Sequence, residues 1–494
     1  MPGGKVGGIG DVICDLPVAL QKRGHQCTVL MPGYDALSRL PGAKKIAVLR
    51  TSFGGAAVTV AVHRLASSDS GVTCLVLEHP AFAPCGAGQI YCDDPDNRPF
   101  ATDASKFALF SAAAASYVAG LKQKPSLVHL NDWHSSLYLL LREFDPSFKA
   151  LKAVRTVFTI HNLALQGIRP LAQDPSSLEA WFPQLKYKRA VVIDPRYGNC
   201  LNPMAIGIRL ADAVNTVSPT YAREILDAAG EGLQQDLKLA AREQRLIGIL
   251  NGCEYPARSP RAPSWTQLRK LAGNGLDAWM SRRPLVSSAH YFAERTLARL
   301  PRSRPQTILT SVGRLTEQKA KLFLEPVDGT QTALEHILDG LGDSGWLVLL
   351  GSGDPAIEAA LTRISVTRNN LLFLNGYDEA LSAALYGIGD LFLMPSIFEP
   401  CGISQMLAMR SSQPCAVNDV GGLHDTVINR KNGFVFSGKT PAQQAHNFVA
   451  AVSEAVQMQR EDPTAYKAIS KAAGAARFSW DAAAQQYEEG LYRD

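Results

Sequence analysis

Residues 307–319, TILTSVGRLTEQK, decide the fold class. Six residues rich in β-branched and aliphatic side chains suit a buried strand, and Gly313 breaks the run. Arg314 and Lys319 then stand five residues apart in a polar segment. The same phrase recurs downstream: WLVLL (346–350) runs into GSGD, LLFL (371–374) into GYDE, and LFLM (391–394) into PSIFEPCG, with PCAV following at 414–417. Upstream, strands are predicted at 27–31, 45–50, 57–63, 72–77, 127–130, 155–160, 214–217 and 246–250. Helical spacing separates them, clearest where Val12, Ile13, Leu16, Ala19 and Leu20 share one face before Arg23–Gly24. Apolar strands alternating with helices predict parallel sheets covered on both faces. Residues 256–266, PARSPRAPSWT, are the Pro/Ser-rich stretch between two such patterns, so the expected α/β architecture is two doubly wound, Rossmann-like domains with a cleft between them. HLNDWH, TIHN, LNG, GRLTEQK, GSGD, GYDE and PSIFEPCG all lie at the carboxyl ends of strands, where ligands bind in open parallel sheets.

Composition excludes several classes. A net charge of +5 over 494 residues, with no Lys/Arg block, gives no nucleic-acid footprint. No apolar run approaches the ~18 residues of a membrane span, and MPGGKVGGIGDV does not resemble a signal peptide. Nine cysteines, at 14, 27, 74, 85, 92, 200, 253, 401 and 415, form no CxxC pair. Reduced thiols in a cytoplasm are therefore expected, without a disulfide frame or metal site.

Each motif has a structural reading beside a functional one. The glycines of KVGGIGDV (5–12) let backbone amides approach an anion at a helix start, with Lys5 beside them, although a Gly-rich turn is as often structural. NDWH (131–134) and TIHN (159–162) each place a histidine just after a strand, which suits sugar or phosphate hydrogen bonding or a satisfied core histidine; neither has metal-ligand spacing. Arg314 and Lys319 suit a diphosphate clamp or a solvated turn. Glu399 suits sugar hydroxyls, and Gly402 opens a helix N-terminus; Cys401 has no adjacent base that would make it a nucleophile. Gly421 and Gly422 form a second glycine turn.

In order, KVGGIGDV, NDWHS, TIHNLALQG, LADAVNTVSPTYAREI, ILNG, VGRLTEQK, GSGDP, GYDE, FEPCGISQMLAMR and VGGLHDTV resemble the bacterial-type glycogen/starch synthases over essentially the whole chain. The resemblance implies the GT-B fold and a retaining glucosyl transfer from ADP-glucose to an α-1,4-glucan, in the cytoplasm and without metal or cofactor. It implies an acceptor domain over 1–255 that lacks its first strand, a nucleotide-sugar domain over 256–475, and a closing helix over 476–494. Lys5, with Gly7 and Gly8, would meet the donor; Asp11, Asp132 and His161 match family positions, His161 near the transferred glucose, and Asn251 would help hold that sugar. Arg314 and Lys319 would grip the diphosphate, Tyr377 would stack on the nucleobase, Glu399 and Cys401 would flank the glucose, and Gly421, Gly422 and Leu423 would line the phosphates. Val420, Ala320 and CEYPARSPRAP after Gly252 depart from the family pattern. The readings left open are a UDP-glucose donor, a small acceptor, and a catalytically weak glucan-binding homologue.

Overall fold

The computed structural model describes residues 8–66, 70–256, 262–282 and 285–493. The chain forms two compact units, Met1–Asn251 with Trp480–Asp494, and Gly252–Ser479.

The described strands of the first unit are β1 (Thr28–Pro32), β2 (Lys44–Phe53), β3 (Ala56–Arg64), β4 (Thr73–Glu78), β5 (Leu127–Asn131), β6 (Arg155–Ile160), the two-residue β7 (Arg169–Pro170) and β8 (Cys200–Leu201), β9 (Ala213–Thr216) and β10 (Leu246–Gly248). They build one sheet in the order β1-β4-β3-β2, another in the order β10-β9-β6-β5, and the β7–β8 ribbon. The second sheet is parallel throughout. The first is not, which corrects the expectation of parallel sheets: β2 and β3 are an antiparallel hairpin, with Phe53 opposite Ala56, and β3 also runs antiparallel to β4. Gly54 and Gly55 both have positive φ, +61° and +75°, so the two-residue turn matches the twist of the strands it joins. Helix Gly8–Lys22 puts Val12, Leu16 and Leu20 against Val157, Ala213 and Ile249, and Trp480, Ala484 and Tyr487 complete that cluster.

The second unit holds β11 (Thr307–Val312), β12 (Gly345–Gly351), β13 (Leu371–Asn375), β14 (Leu391–Met394), β15 (Cys415–Asn418) and β16 (Gly433–Phe436), all parallel, in the order β13-β12-β11-β14-β15-β16. Alternate residues feed opposite cores. Leu309, Leu347 and Phe373 pack under helices Ala333–Leu341 and Pro441–Glu461, while Ile308, Val348 and Leu372 pack under Trp265–Ser281 and Ser288–Arg299. Burial on both faces explains the unbroken apolar runs. The strand order reverses between β11 and β14, and that switch point is where an open α/β sheet binds its ligand.

Cys85 and Cys92 form a disulfide with Cα atoms 5.9 Å apart, which corrects the expectation that all nine thiols are free. The segment between them turns through Gly86 and Gly88, both at positive φ, and so brings together two cysteines whose spacing matches no motif. The other seven cysteines form no disulfide. Among the described residues, no helix is long and apolar enough to cross a membrane.

Candidate active site

In the second unit a small cavity lies at the switch point, lined by Ser311, Gly313, Arg314, Lys319, Met394 and Ser396. β11 ends in the loop that carries Arg314, which is exposed, and helix Glu317–Leu324 carries Lys319 in its first turn. Lys319 Nζ lies 3.0 Å from Glu399 Oε2. Glu399 is only 5% exposed, and its Oε2 also accepts a 3.0 Å hydrogen bond from the Ser396 hydroxyl. A buried carboxylate is tolerated only when paired and hydrogen-bonded, and these two partners meet that condition. The 396–399 loop is clamped to the lysine's helix at two further points. Gln318 Nε2 donates to the Phe398 carbonyl at 2.7 Å, and the Ile397 amide donates to the Gln318 carbonyl at 2.9 Å. The ammonium and the carboxylate are thereby held as a fixed pair beside the cavity.

Glycine at 402, 421 and 422 is required by close approach. Gly402 has φ +74°, and a Cβ there would come within 2.6 Å of Gln405 Oε1. A Cβ on Gly421 would lie 2.0 Å from the Glu399 carbonyl oxygen, and one on Gly422 2.1 Å from the Cys401 carbonyl oxygen. The Gly422 amide donates to the Glu399 carbonyl at 3.1 Å, so the Glu399 turn rests directly on the start of helix Gly421–Thr426. Gln405, fully buried, ties the joint: its Nε2 donates to the carbonyls of Cys401 and Gly402 and to the Thr426 hydroxyl. Cys401 is buried, and its thiol donates to the Gly402 carbonyl at 3.4 Å. The Leu423 side chain belongs to the apolar core with Met394 and Val417, and its amide already donates to the Val420 carbonyl. Tyr377, 68% exposed in the loop after β13, is held at its backbone, where its carbonyl accepts from Trp279 Nε1 at 3.2 Å.

In the first unit the ends of β5 and β6 meet through Asp132. Its φ is +50°, an unusual conformation for a side-chain-bearing residue. Oδ1 accepts from the His161 amide at 2.7 Å, and the Asp132 amide donates to the Thr159 carbonyl at 2.9 Å. Burial pushes the Asp132 carboxyl up to about 7, against the opposing pull of the His161 and Asn162 amides. His161 Nε2 lies 3.0 Å from Asn131 Oδ1. Burial lowers the His161 ring to about 3, with His129 and His134 adding to the effect, so it is neutral at physiological pH. His134 is lowered to about 3 by burial, then by Lys106; it stacks on Trp133 and lies 3.1 Å from the Tyr91 hydroxyl. The Trp133 ring fills the space over Gly167, where a Cβ would come within 2.2 Å. Asn251 is buried, and its Oδ1 has no hydrogen-bond partner among the described residues. That orphaned acceptor is free to take a ligand hydroxyl. Gly8 begins helix Gly8–Lys22, and Asp11 stands in its first turn. Lys5 and Gly7 lie outside the described residues.

The structure thus gathers Arg314, Lys319, Glu399, Cys401, Gly402, Gly421 and Gly422 at one sheet end, and Asp132 and His161 at another. Sequence reasoning missed Ser396, Gln405 and Asn131. Ser396 and Asn131 lie within the polar segments at strand ends, but their partners are set by three-dimensional placement. No group of three or more His, Cys, Asp or Glu side chains among the described residues is arranged to hold a metal ion.

Residues 1–239 match the family described as starch synthase catalytic domain, and residues 294–472 match glycosyl transferases group 1. A glycogen synthase of Streptococcus equi subsp. equi (strain 4047) is 33% identical over 507 residues, covering 100% of this chain and 97% of that protein. A glycogen synthase of Anaeromyxobacter dehalogenans (strain 2CP-C) is 35% identical over 505 residues, with the same coverage. Among solved structures, the catalytic domain of starch synthase IV from Arabidopsis thaliana, bound to ADP and acarbose, matches with a TM-score of 0.76 at 28% identity, over 99% of this chain and 96% of that one. Sucrose-phosphate synthase from Thermosynechococcus elongatus, at 19% identity over 98% and 93% of the two chains and a TM-score of 0.54, shares the fold.

Proposed function

Because this chain belongs to the glycogen and starch synthase family of glycosyltransferases, with its GT-B fold, we propose that it transfers glucose from ADP-glucose to the non-reducing 4-hydroxyl of an α-1,4-glucan with retention of configuration. The observation that carries the reading is the cavity at the β11/β14 switch point, with Arg314 and Lys319 on its wall and Glu399 locked beside Lys319. Breaking the bond from glucose C1 to a diphosphate oxygen leaves negative charge on the departing group, and preorganised cations in that place lower the barrier. Arg314 offers a planar fork for two oxygens, and Lys319 a point charge. The Glu399 carboxylate favours positive character at C1, as the buried partner of Lys319. The acceptor 4-hydroxyl forms its bond to C1 on the face the diphosphate leaves, and its proton passes to the departing phosphate oxygen.

His161, neutral and held by Asn131, hydrogen-bonds the glucosyl group without serving as an acid, and Asn251 offers its free acceptor to the same sugar. Asp132 fixes the His161 backbone. Tyr377 takes the nucleobase; Lys5, Gly7, Gly8 and Asp11 act on the donor; Cys401 lines the glucose side, and Gly402, Gly421, Gly422 and Leu423 stand by the phosphates. The reaction needs no metal, and the protein works in the cytoplasm. ADP bound in the starch synthase IV structure supports adenine in the donor.

The test is nucleotide release from ADP-glucose and UDP-glucose, each with and without glycogen. ADP release that depends on glycogen and lengthens it is the expected result; turnover with UDP-glucose alone would overturn the donor, and release indifferent to glycogen would overturn the acceptor. Lys319→Ala and Glu399→Ala should each lower kcat on the order of 10²-fold or more. Near-normal rates in either would remove that residue from the site.

A further inference from the structure

The Cys85–Cys92 disulfide lies outside the proposed chemistry, yet the segment it closes docks on the NDWH turn of the first unit. Each stage of that strap has its own anchor. The Gly88 amide donates to the Tyr34 carbonyl at 2.8 Å. The Ile90 carbonyl accepts from Lys106 Nζ, the Tyr91 hydroxyl meets His134 Nε2 at 3.1 Å, and the Cys92 amide donates to Asp103 Oδ2 at 3.3 Å. Lys106 and Asp103 form a 2.6 Å ion pair with almost no exposure, so both charges depend on the strap for their remaining hydrogen bonds. His134 is two residues from Asp132 and stacks on Trp133. Cys85 itself is exposed.

We propose that Cys85 and Cys92 are a reversible thiol–disulfide site whose state decides whether the 85–92 strap stays docked on the NDWH turn. The co-reactants are a dithiol in one direction and a small disulfide in the other. In reduction, one thiolate of the dithiol attacks the sulfur of Cys85, the more exposed residue of the pair, the Cys85–Cys92 bond breaks, and Cys92 leaves as a thiolate that takes up a proton. The dithiol's second sulfur then displaces Cys85, so two electrons and two protons enter the protein and the reductant departs as a disulfide. An exposed cysteine in the pair makes a disulfide labile rather than structural. Opening the short loop restores conformational freedom to two positive-φ glycines, and the strap's four anchors are then held by individual hydrogen bonds alone. The seven other cysteines, none of them in a disulfide, serve as an internal reference.

The experiment uses the full chain equilibrated with reduced or oxidised dithiothreitol, alkylated under denaturing conditions and weighed. Seven alkylated thiols after oxidation and nine after reduction are expected, interconverting in both directions. Chymotrypsin should then cut after Tyr91 on the order of tenfold faster in the reduced protein, because local opening governs cleavage, and the fragments of any oxidised protein cut there should stay joined until reduced. Cys85→Ser and Cys92→Ser should show the reduced rate of cleavage under both conditions; if either fails to fold, the wild-type comparison stands alone. Nine alkylated thiols under oxidising conditions would overturn the proposal, as would a disulfide that forms and breaks with no change in cleavage at Tyr91. Neither readout involves sugar transfer, so failure here is distinguishable from failure of the glucosyltransferase reading.

Discussion

At the scale of single residues, the first unit stores a cost in Asp132. Its carboxyl is buried, backbone-bonded and pushed up to about 7, so the folded chain holds a proton there that the unfolded chain releases near pH 4. Between those values the native state binds more protons than the unfolded state, and stability falls as pH rises through the window. Asp132→Asn keeps an oxygen for the His161 amide and carries no titratable group. The variant should match the wild type below about pH 4 and exceed it above pH 7, by up to a few kcal/mol. Urea unfolding at pH 4, 6 and 8 measures this; a variant less stable at pH 8 than at pH 4 relative to wild type would reverse the sign. Lys319 and Glu399 show the opposite economy, a charge pair whose burial cost is met by a direct partner and by Ser396.

At the scale of elements, the Glu399 turn and the start of helix Gly421–Thr426 touch backbone to backbone, leaving no room for a methyl group. Gly422→Ala would drive a Cβ to 2.1 Å from the Cys401 carbonyl oxygen and so force the turn away from Lys319. It should cost about 1–3 kcal/mol in stability and lower kcat more than it raises KM. Gly340→Ala is the control, since nothing lies within 4 Å of a Cβ at that position in helix Ala333–Leu341. There the same change should stabilise by about 0.5–1 kcal/mol. Denaturant midpoints and initial rates for the two variants decide the matter; similar behaviour in both would show that the joint is not tight. The central strands were legible from sequence because each is an unbroken apolar run buried on two faces, as at 307–312 and 371–374. The β2–β3 hairpin was missed although Gly54–Gly55 between two strands is its ordinary signature, because alternation with helices was assumed throughout. The cations of the site were legible from their place at strand ends. Gln405 was not, since its role depends on Thr426 and on the Cys401 and Gly402 carbonyls meeting in space.

At the scale of the whole chain, the first unit is built from both ends of the sequence while the second is continuous. Helix Trp480–Tyr487 and the turn after it bury Trp480, Tyr487 and Leu491 against Val12, Leu16 and Leu20 of helix Gly8–Lys22. Trp480 Nε1 donates to Asp15 at 3.1 Å, and Arg23 pairs with Glu488 at 2.8 Å. His129 in β5 is held by the Tyr492 hydroxyl at 2.9 Å, so the C-terminal segment also touches the sheet that carries Asp132. Three large buried side chains at ~2 kcal/mol each come to about 6 kcal/mol, comparable to the 5–15 kcal/mol by which a domain is stable. The surface pairs add little to that sum. The second unit uses none of these contacts, because its cores are drawn from residues between 265 and 478. Removing 480–494 should therefore unfold the first unit, or lower its melting point by ten degrees or more on this arithmetic, and leave the transition of the second unit in place. Scanning calorimetry of the full and shortened chains, with hydrogen exchange to assign each transition, measures both effects at once. Loss of protection across β11–β15 on shortening would show that the two units do not fold independently, and an unchanged first transition would show that the closing helix contributes little to the core it covers.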